Sequence, residues 1–185
     1  ASRYSSIVIN SRINDFKANT KAAGFGKYDN EGNVIEEPNG TASTLDYVPG
    51  LVAKAILEAA DYYKDNKDVD VMPWYYAIRH YGNTCDIPNN GKQGKSFDDL
   101  NGVKLYFKLQ ELAADTRFTD STALATAKQR FADARTGFAK ANENYVIKES
   151  TLADAAGGWW HKSSSTDQMW CDGLYMGASL MAQMI

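Results

Sequence analysis

Apolar positions recur at helical spacing along nearly the whole chain, and no run alternates with the period of two that marks a half-buried strand. Ile9, Ile13 and Phe16 make one stripe and predict a first helix from about Tyr4 to Asn19. Val48, Leu51, Val52, Ala55, Ile56, Ala59 and Tyr63 predict a second, from about Val48 to Lys64. Pro49 is tolerated there because it falls in the first turn, where its missing N–H is not needed. A third helix opens at Pro73 and closes at Gly82, with Trp74, Ala77, Ile78 and Tyr81 on its inner face. The fourth starts near Asp98 and carries apolar residues on two sides, Leu100, Val103 and Phe107 on one and Leu105, Leu109 and Leu112 on the other. In the fifth, Leu124, Ala127, Phe131, Ala134 and Phe138 form a single narrow stripe among Lys128, Arg130, Asp133 and Arg135, the pattern of a half-solvated helix. The sixth runs from about Gln168 to the end and is apolar on most faces.

The helices alternate in kind. The first, third and fifth read as outer, the second, fourth and sixth as inner, which fits antiparallel helical hairpins around a centre. Connections into the second and fourth helices are long, at Gly24–Ser43 and Asn83–Lys95. The former holds the turn signals Asp29-Asn30-Glu31-Gly32 and Pro38-Asn39-Gly40 and is expected to be strand-free. Long loops gathered at one end build sites, and that end carries the N-termini of the three inner helices.

Composition narrows the function. The length of 185 residues predicts one domain or a substantial part of one, 44% of the residues are apolar, and 20 basic against 23 acidic side chains leave a net charge of −3. Disorder is excluded by the apolar content, and the acidic balance gives no basic face for nucleic acid. Arg3, Arg12, Asp15 and Lys17 interrupt the first twenty residues, so no leader-peptide core is expected there. Met169 to Ile185 is shorter than the ~20 apolar residues a span needs and contains Asp172, so no membrane span is expected. Cys85 and Cys171 permit at most one disulfide and do not fix the redox compartment. No HExxH, CxxC, GxSxG or phosphate-binding glycine loop occurs, and His80 and His161 do not make a metal spacing, so neither cofactor nor metal is implied. His80 reads as a helix-end residue on the dipole, and Cys171 as a buried thiol.

Three aspartates stand near the inner N-termini: Asp46, Asp98 and Asp172. Capping or solvation accounts for Asp46 and for Asp99. Asp172 is different. It is predicted to lie about a turn inside its helix in an apolar run, where desolvation would favour its protonated form and suit it to proton transfer. Gly157-Gly158 before it allows close backbone approach, and Trp159, Trp160 and Trp170 offer flat faces for sugar rings. His161 and Lys162 are candidate donors to an anionic group. Gln168, four residues before Asp172, is expected on the same helix face, and so is Tyr175.

The segment GGWWHKSSSTDQMWCDGLYMG, with Leu45-Asp46-Tyr47-Val48-Pro49-Gly50-Leu51 and Ser96-Phe97-Asp98-Asp99-Leu100-Asn101, resembles the glycoside hydrolase 88/105 superfamily, specifically the unsaturated rhamnogalacturonyl hydrolases. The likeness spans about Leu45 to Ile185. It implies an (α/α)6 barrel with its site at the inner N-termini, and an oligosaccharide substrate ending in a 4,5-unsaturated uronic acid. It further implies that Asp172 is the catalytic acid and Asp98 the second active-site aspartate, with His161 and Tyr47 at substrate. Where relatives often carry an aromatic-proline pair, this chain has Ser165-Thr166.

A complete barrel of that kind needs twelve helices and six are predicted, so the expected architecture is an all-α half barrel, completed by a missing C-terminal half or by a second chain. In that state the apolar sides of the second, fourth and sixth helices would lie open. Two other readings fit the same residues: a non-catalytic helical module that binds glycans or a protein, and a different (α/α)6 enzyme with paired aspartates at Asp98-Asp99.

Overall fold

The computed structural model describes residues 2–14, 24–38, 45, 47–87, 98, 101–144, 161, 165, 168 and 170–184. Helices dominate: α1 (Ser2–Asn14), α2 (Tyr47–Tyr63), α3 (Met72–Thr84), α4 (Leu105–Ala114), α5 (Ser121–Asn144) and α6 (Ser179–Met184). A 3-10 turn, Gly102–Lys104, leads into α4, and a π-helical turn, Leu174–Ala178, leads into α6. The chain is an all-α half barrel of antiparallel helical hairpins.

Helix α2 packs beside α4, and α3 packs against both α2 and α5, while α4 and α5 make the most extensive helix pair. The buried face of α2 is turned from the predicted stripe: Ala53, Ile56, Leu57 and Ala60 are covered, and of the predicted positions only Ile56 is buried, while Val48 and Ala55 are exposed. Helix α4 is covered on both predicted sides, through Val103, Leu105, Leu109 and Leu112. Its apolar surface is therefore closed, contrary to the expectation that it would lie open. Open apolar surface sits instead on α1 (Tyr4, Ile7, Val8), at the start of α2 (Val48) and on the π-turn (Leu174, Tyr175). Between α1 and α2 runs an apolar groove of about 440 Å³, bordered by Val8, Val52 and Ala55.

Three contacts set α2 and α4 parallel. At their N-terminal ends Gly50 faces Gly102 so closely that a Cβ on Gly50 would lie 2.4 Å from the Gly102 Cα. At their C-terminal ends the Lys64 ammonium meets the Asp115 carboxylate at 2.6 Å, and Lys108 meets Asp61 at 2.6 Å. The N-termini of both helices therefore point to one end of the molecule, as the loop lengths predict.

Two expectations need correction. The segment after α1 contains a small antiparallel hairpin, β1 (Lys27–Tyr28) with β2 (Val34–Glu36). Strands this short show no readable period. The turn signal was real: Asp29 accepts the amides of Glu31 and Asn33 at 3.0 and 2.8 Å, and Gly32 takes a φ of 87°. The hairpin covers α3, where the Phe25 ring meets Tyr81 edge-on at 5.0 Å and Tyr28 meets His80 at 5.9 Å. As a result α3, read as an outer helix, is covered beyond its predicted inner face. Trp74, Ala77, Ile78 and Tyr81 are buried as predicted, and so is Tyr75, among α1, α2, the hairpin and α5.

Helix α5 is the half-solvated one, with Ala123, Ala127 and Ala134 turned inward. Arg130 does not decorate its outer face. Its guanidinium reaches the end of α3, donating from Nε to the Gly82 carbonyl at 3.1 Å and from Nη2 to the Cys85 carbonyl. The buried Tyr106 hydroxyl donates to the same Gly82 oxygen at 2.7 Å, and burial pushes its pKa up, so it stays a donor. These groups satisfy carbonyls that a helix end leaves without amides. Replacing Arg130 by Met is expected to cost about 2 kcal/mol, the worth of charged hydrogen bonds to partly buried carbonyls. A urea titration of both proteins checks this through the shift in midpoint at unchanged slope.

Candidate active site

The loop-bearing end gathers three of the predicted side chains around one imidazole. His161 is 1% exposed. Its Nε2 lies 3.8 Å from Asp98 Oδ2, and its Nδ1 lies 3.6 Å from Asp172 Oδ1. Both separations exceed a direct hydrogen bond, so the ring stands between two carboxylates and interacts with them electrostatically. Its face stacks on the Trp170 indole, with centroids 4.2 Å apart and planes 8° from parallel. The loop that carries His161 is closed by its own backbone: the His161 amide donates to the Gln168 carbonyl at 2.8 Å, and the Gln168 amide to the Ser165 carbonyl at 3.2 Å. Trp170 Nε1 lies 3.3 Å from Gln168 Oε1.

Those bonds overturn the predicted placement of Asp172. The Gln168 backbone is bonded to His161 and Ser165, and neither Gln168 nor Trp170 is helical. Tight turns follow, from the Gly173 amide to the Trp170 carbonyl at 2.9 Å and from the Leu174 amide to the Cys171 carbonyl at 3.1 Å. Helical structure begins at Asp172 itself. Gln168 and Asp172 therefore do not share a helix face, and Asp172 is not buried in an apolar run. Its side chain is 52% exposed, and that of Asp98 is 42% exposed. Cys171, read as buried, is exposed, and Cys85 is buried; both are free thiols. His161, read as a donor to substrate, is turned to the two carboxylates.

Tyr47 is the first residue of α2 and is 37% exposed. The Gly50–Gly102 contact one turn later holds that end of α2 against the turn following Asp98. Trp159, Trp160 and Lys162, with Asp46 and Asp99, lie outside the described residues. Among the described residues no cluster of three or more His, Cys, Asp or Glu suited to a metal ion occurs, and no helix is long and apolar enough to cross a membrane.

Sequence reasoning passed over two groups beside this site. Asn101, three residues after Asp98, is 2% exposed, and its Oδ1 has no hydrogen-bond partner among the described residues. Lys104 is 3% exposed. A lysine set between Val103 and Leu105 in an apolar run was the available signal, and an amphipathic pattern counts it merely as polar.

Chemically, two carboxylates held on either side of an imidazole, with an aromatic face beside them and half of each acid open to solvent, can move a proton to and from a bound ring. No curated protein and no solved structure matches the chain significantly. The sequence profile of Glycosyl Hydrolase Family 88 matches residues 22–185, which takes in the hairpin, every helix after α1 and all of the site residues, and the chain belongs to that family of glycoside hydrolases.

Proposed function

We propose that this glycoside hydrolase releases a 4,5-unsaturated uronic acid from the non-reducing end of lyase-generated oligosaccharides. The supporting observation is the Asp98–His161–Asp172 arrangement with Trp170 stacked on the imidazole. The substrate is an enol ether. Asp172 gives its proton to C4, the C4=C5 electron pair forms the new C–H bond, and the cation left at C5 is shared with the ring oxygen. Water adds at C5 and returns a proton to the Asp172 carboxylate. The hemiketal opens, and the hemiacetal left at C1 expels the remaining sugar.

One carboxyl serves in turn as acid and base, unlike hydrolysis by two acids flanking the scissile bond. Asp98 orients the water, and the imidazole between the acids keeps the two carboxylates in register. A sugar ring seated on Asp172 removes water from its exposed half and brings the carboxyl directly against the alkene. Lys162 and Tyr47, with Trp159, Trp160 and Gln168, supply contacts to the uronate and hydroxyls in this reading.

The test is incubation with lyase-generated unsaturated disaccharides, followed at the ultraviolet absorbance of the double bond. Steady loss of absorbance with release of the saturated partner sugar is expected. A flat trace alongside measurable disaccharide binding would make the chain a glycan-binding module instead.

A further inference from the structure

Lys104 is buried in the turn that follows Asp98. An ammonium taken out of water is costly without a polar partner, and a methionine would fill the same space without that cost. Its partner lies on another segment. The ammonium donates to the Tyr175 carbonyl and sits 3.7 Å from the centroid of the Tyr175 ring. Tyr175 belongs to the π-turn Leu174–Ala178, a rare and wide form that tends to occur at functional positions. Ser179 sends its amide five residues back, to the Leu174 carbonyl. The Tyr175 carbonyl turns to side chains, accepting the Lys104 ammonium and the Ser179 hydroxyl. The π-turn starts two residues after Asp172, and Lys104 stands six residues after Asp98. One side chain thus fastens the segment bearing one aspartate to the segment bearing the other.

We propose that Lys104 is a positioning residue for the two aspartates: its ammonium, bound to the Tyr175 carbonyl, sets the π-turn so that Asp172 faces His161 and Asp98. The roles of those acids rest on the hydrolase reading above; the tie itself does not. Lys104 acts through Tyr175 and has no contact with the reacting atoms.

The tie carries a pH signature. Burial, with the Lys54 ammonium on α2 adding to it, brings Lys104 down to about 8 from its ordinary 10.5. Lys54 from α2 and Tyr175 from the π-turn are the groups that face it. Between these two values the unfolded chain holds a proton that the folded chain has released, so this group makes global stability rise with pH. Over the same range the side chain, still buried, keeps an N–H donor but loses the charge that strengthens its hold on the Tyr175 carbonyl and ring, so the tie to the π-turn weakens.

The experiment uses the whole chain and compares the parent with Lys104→Met and Lys104→Arg. Hydrogen exchange of the peptide spanning Cys171 to Ser179, corrected for intrinsic rates, is expected to speed up in the parent from pH 7 to pH 9. It should be fast at both pH values in Lys104→Met and slow at both in Lys104→Arg, whose guanidinium keeps its proton. On unsaturated disaccharide, Lys104→Met should lower kcat about tenfold with KM little changed, as a small misplacement of a catalytic group does. The parent's kcat should fall above pH 8 as the ammonium is lost, and Lys104→Arg should retain kcat without that fall. Parent-like exchange and kcat in a folded Lys104→Met would overturn the proposal, and so would an Arg variant with the parent's alkaline fall. If the parent itself turns over no substrate, the hydrolase reading fails, and the exchange comparison still decides the tie.

Discussion

Asp172→Asn is expected to lose at least ~10²-fold in turnover of an unsaturated uronyl disaccharide, because an amide of the same shape neither gives nor regains the proton. The substitution preserves volume at a half-exposed position on the first turn of a helix, so folding should be untouched. Its neighbour His161 keeps the Trp170 stack and its bond to the Gln168 backbone, and substrate affinity should change little. The discriminating measurement is therefore kcat against KM, read from the decay of the alkene absorbance. A variant with near-parent kcat would move the proton role to another group and remove the reason for assigning Asp172.

Gly50→Ala has the largest expected effect on the fold. The new methyl would meet the Gly102 Cα at 2.4 Å and the Gly102 carbonyl carbon and amide nitrogen at 3.5 Å. All three are backbone atoms and have no rotamer into which to withdraw. Either α2 and the turn before α4 separate, or the helix shifts along its axis, and each response breaks packing around Ala53 and Val103. A cost of about 3 kcal/mol follows from overpacking of this kind, and for a chain of this size the melting temperature should fall by roughly 6–12 °C. Differential scanning calorimetry reads the shift directly. A melt within about 1 °C of the parent's would mean that the two helices part without resistance. The same displacement would carry Tyr47 away from the Asp98 segment, so loss of activity should accompany loss of stability.

The helices were legible because burial on a helix leaves a long periodic record. Val48 to Tyr63 carries enough apolar positions to fix the element, although apolar residues around most of its circumference left the buried face, Ala53, Ile56, Leu57 and Ala60, misread by a rotation; α4 announced its double burial plainly. The hairpin was illegible for the converse reason, since Lys27–Tyr28 and Val34–Glu36 are too short for any period, although their turn was plain at Asp29 and Gly32. Missing the hairpin left one side of α3 without its cover, which Phe25 supplies at Tyr81 and Tyr28 at His80.

At the site, the residue types and the end of the molecule were readable, while the local backbone was not. Helical spacing from Gln168 onward concealed a loop that closes on His161 by a hydrogen bond from outside the run. Periodicity cannot report such a bond, and for that reason Asp172 was expected to be buried when half of it meets water. Arg130 and Lys104 were missed on similar grounds. A pattern of polar and apolar positions records where a side chain starts, and both of these cations do their work at the far end of a long stem.

The parallel stack of His161 on Trp170 has an optical consequence. An imidazole pressed flat against an indole quenches its emission, so any displacement that parts the two rings brightens Trp170. The protein thereby carries a built-in lamp trained on the packing of the ring that stands between its two acids.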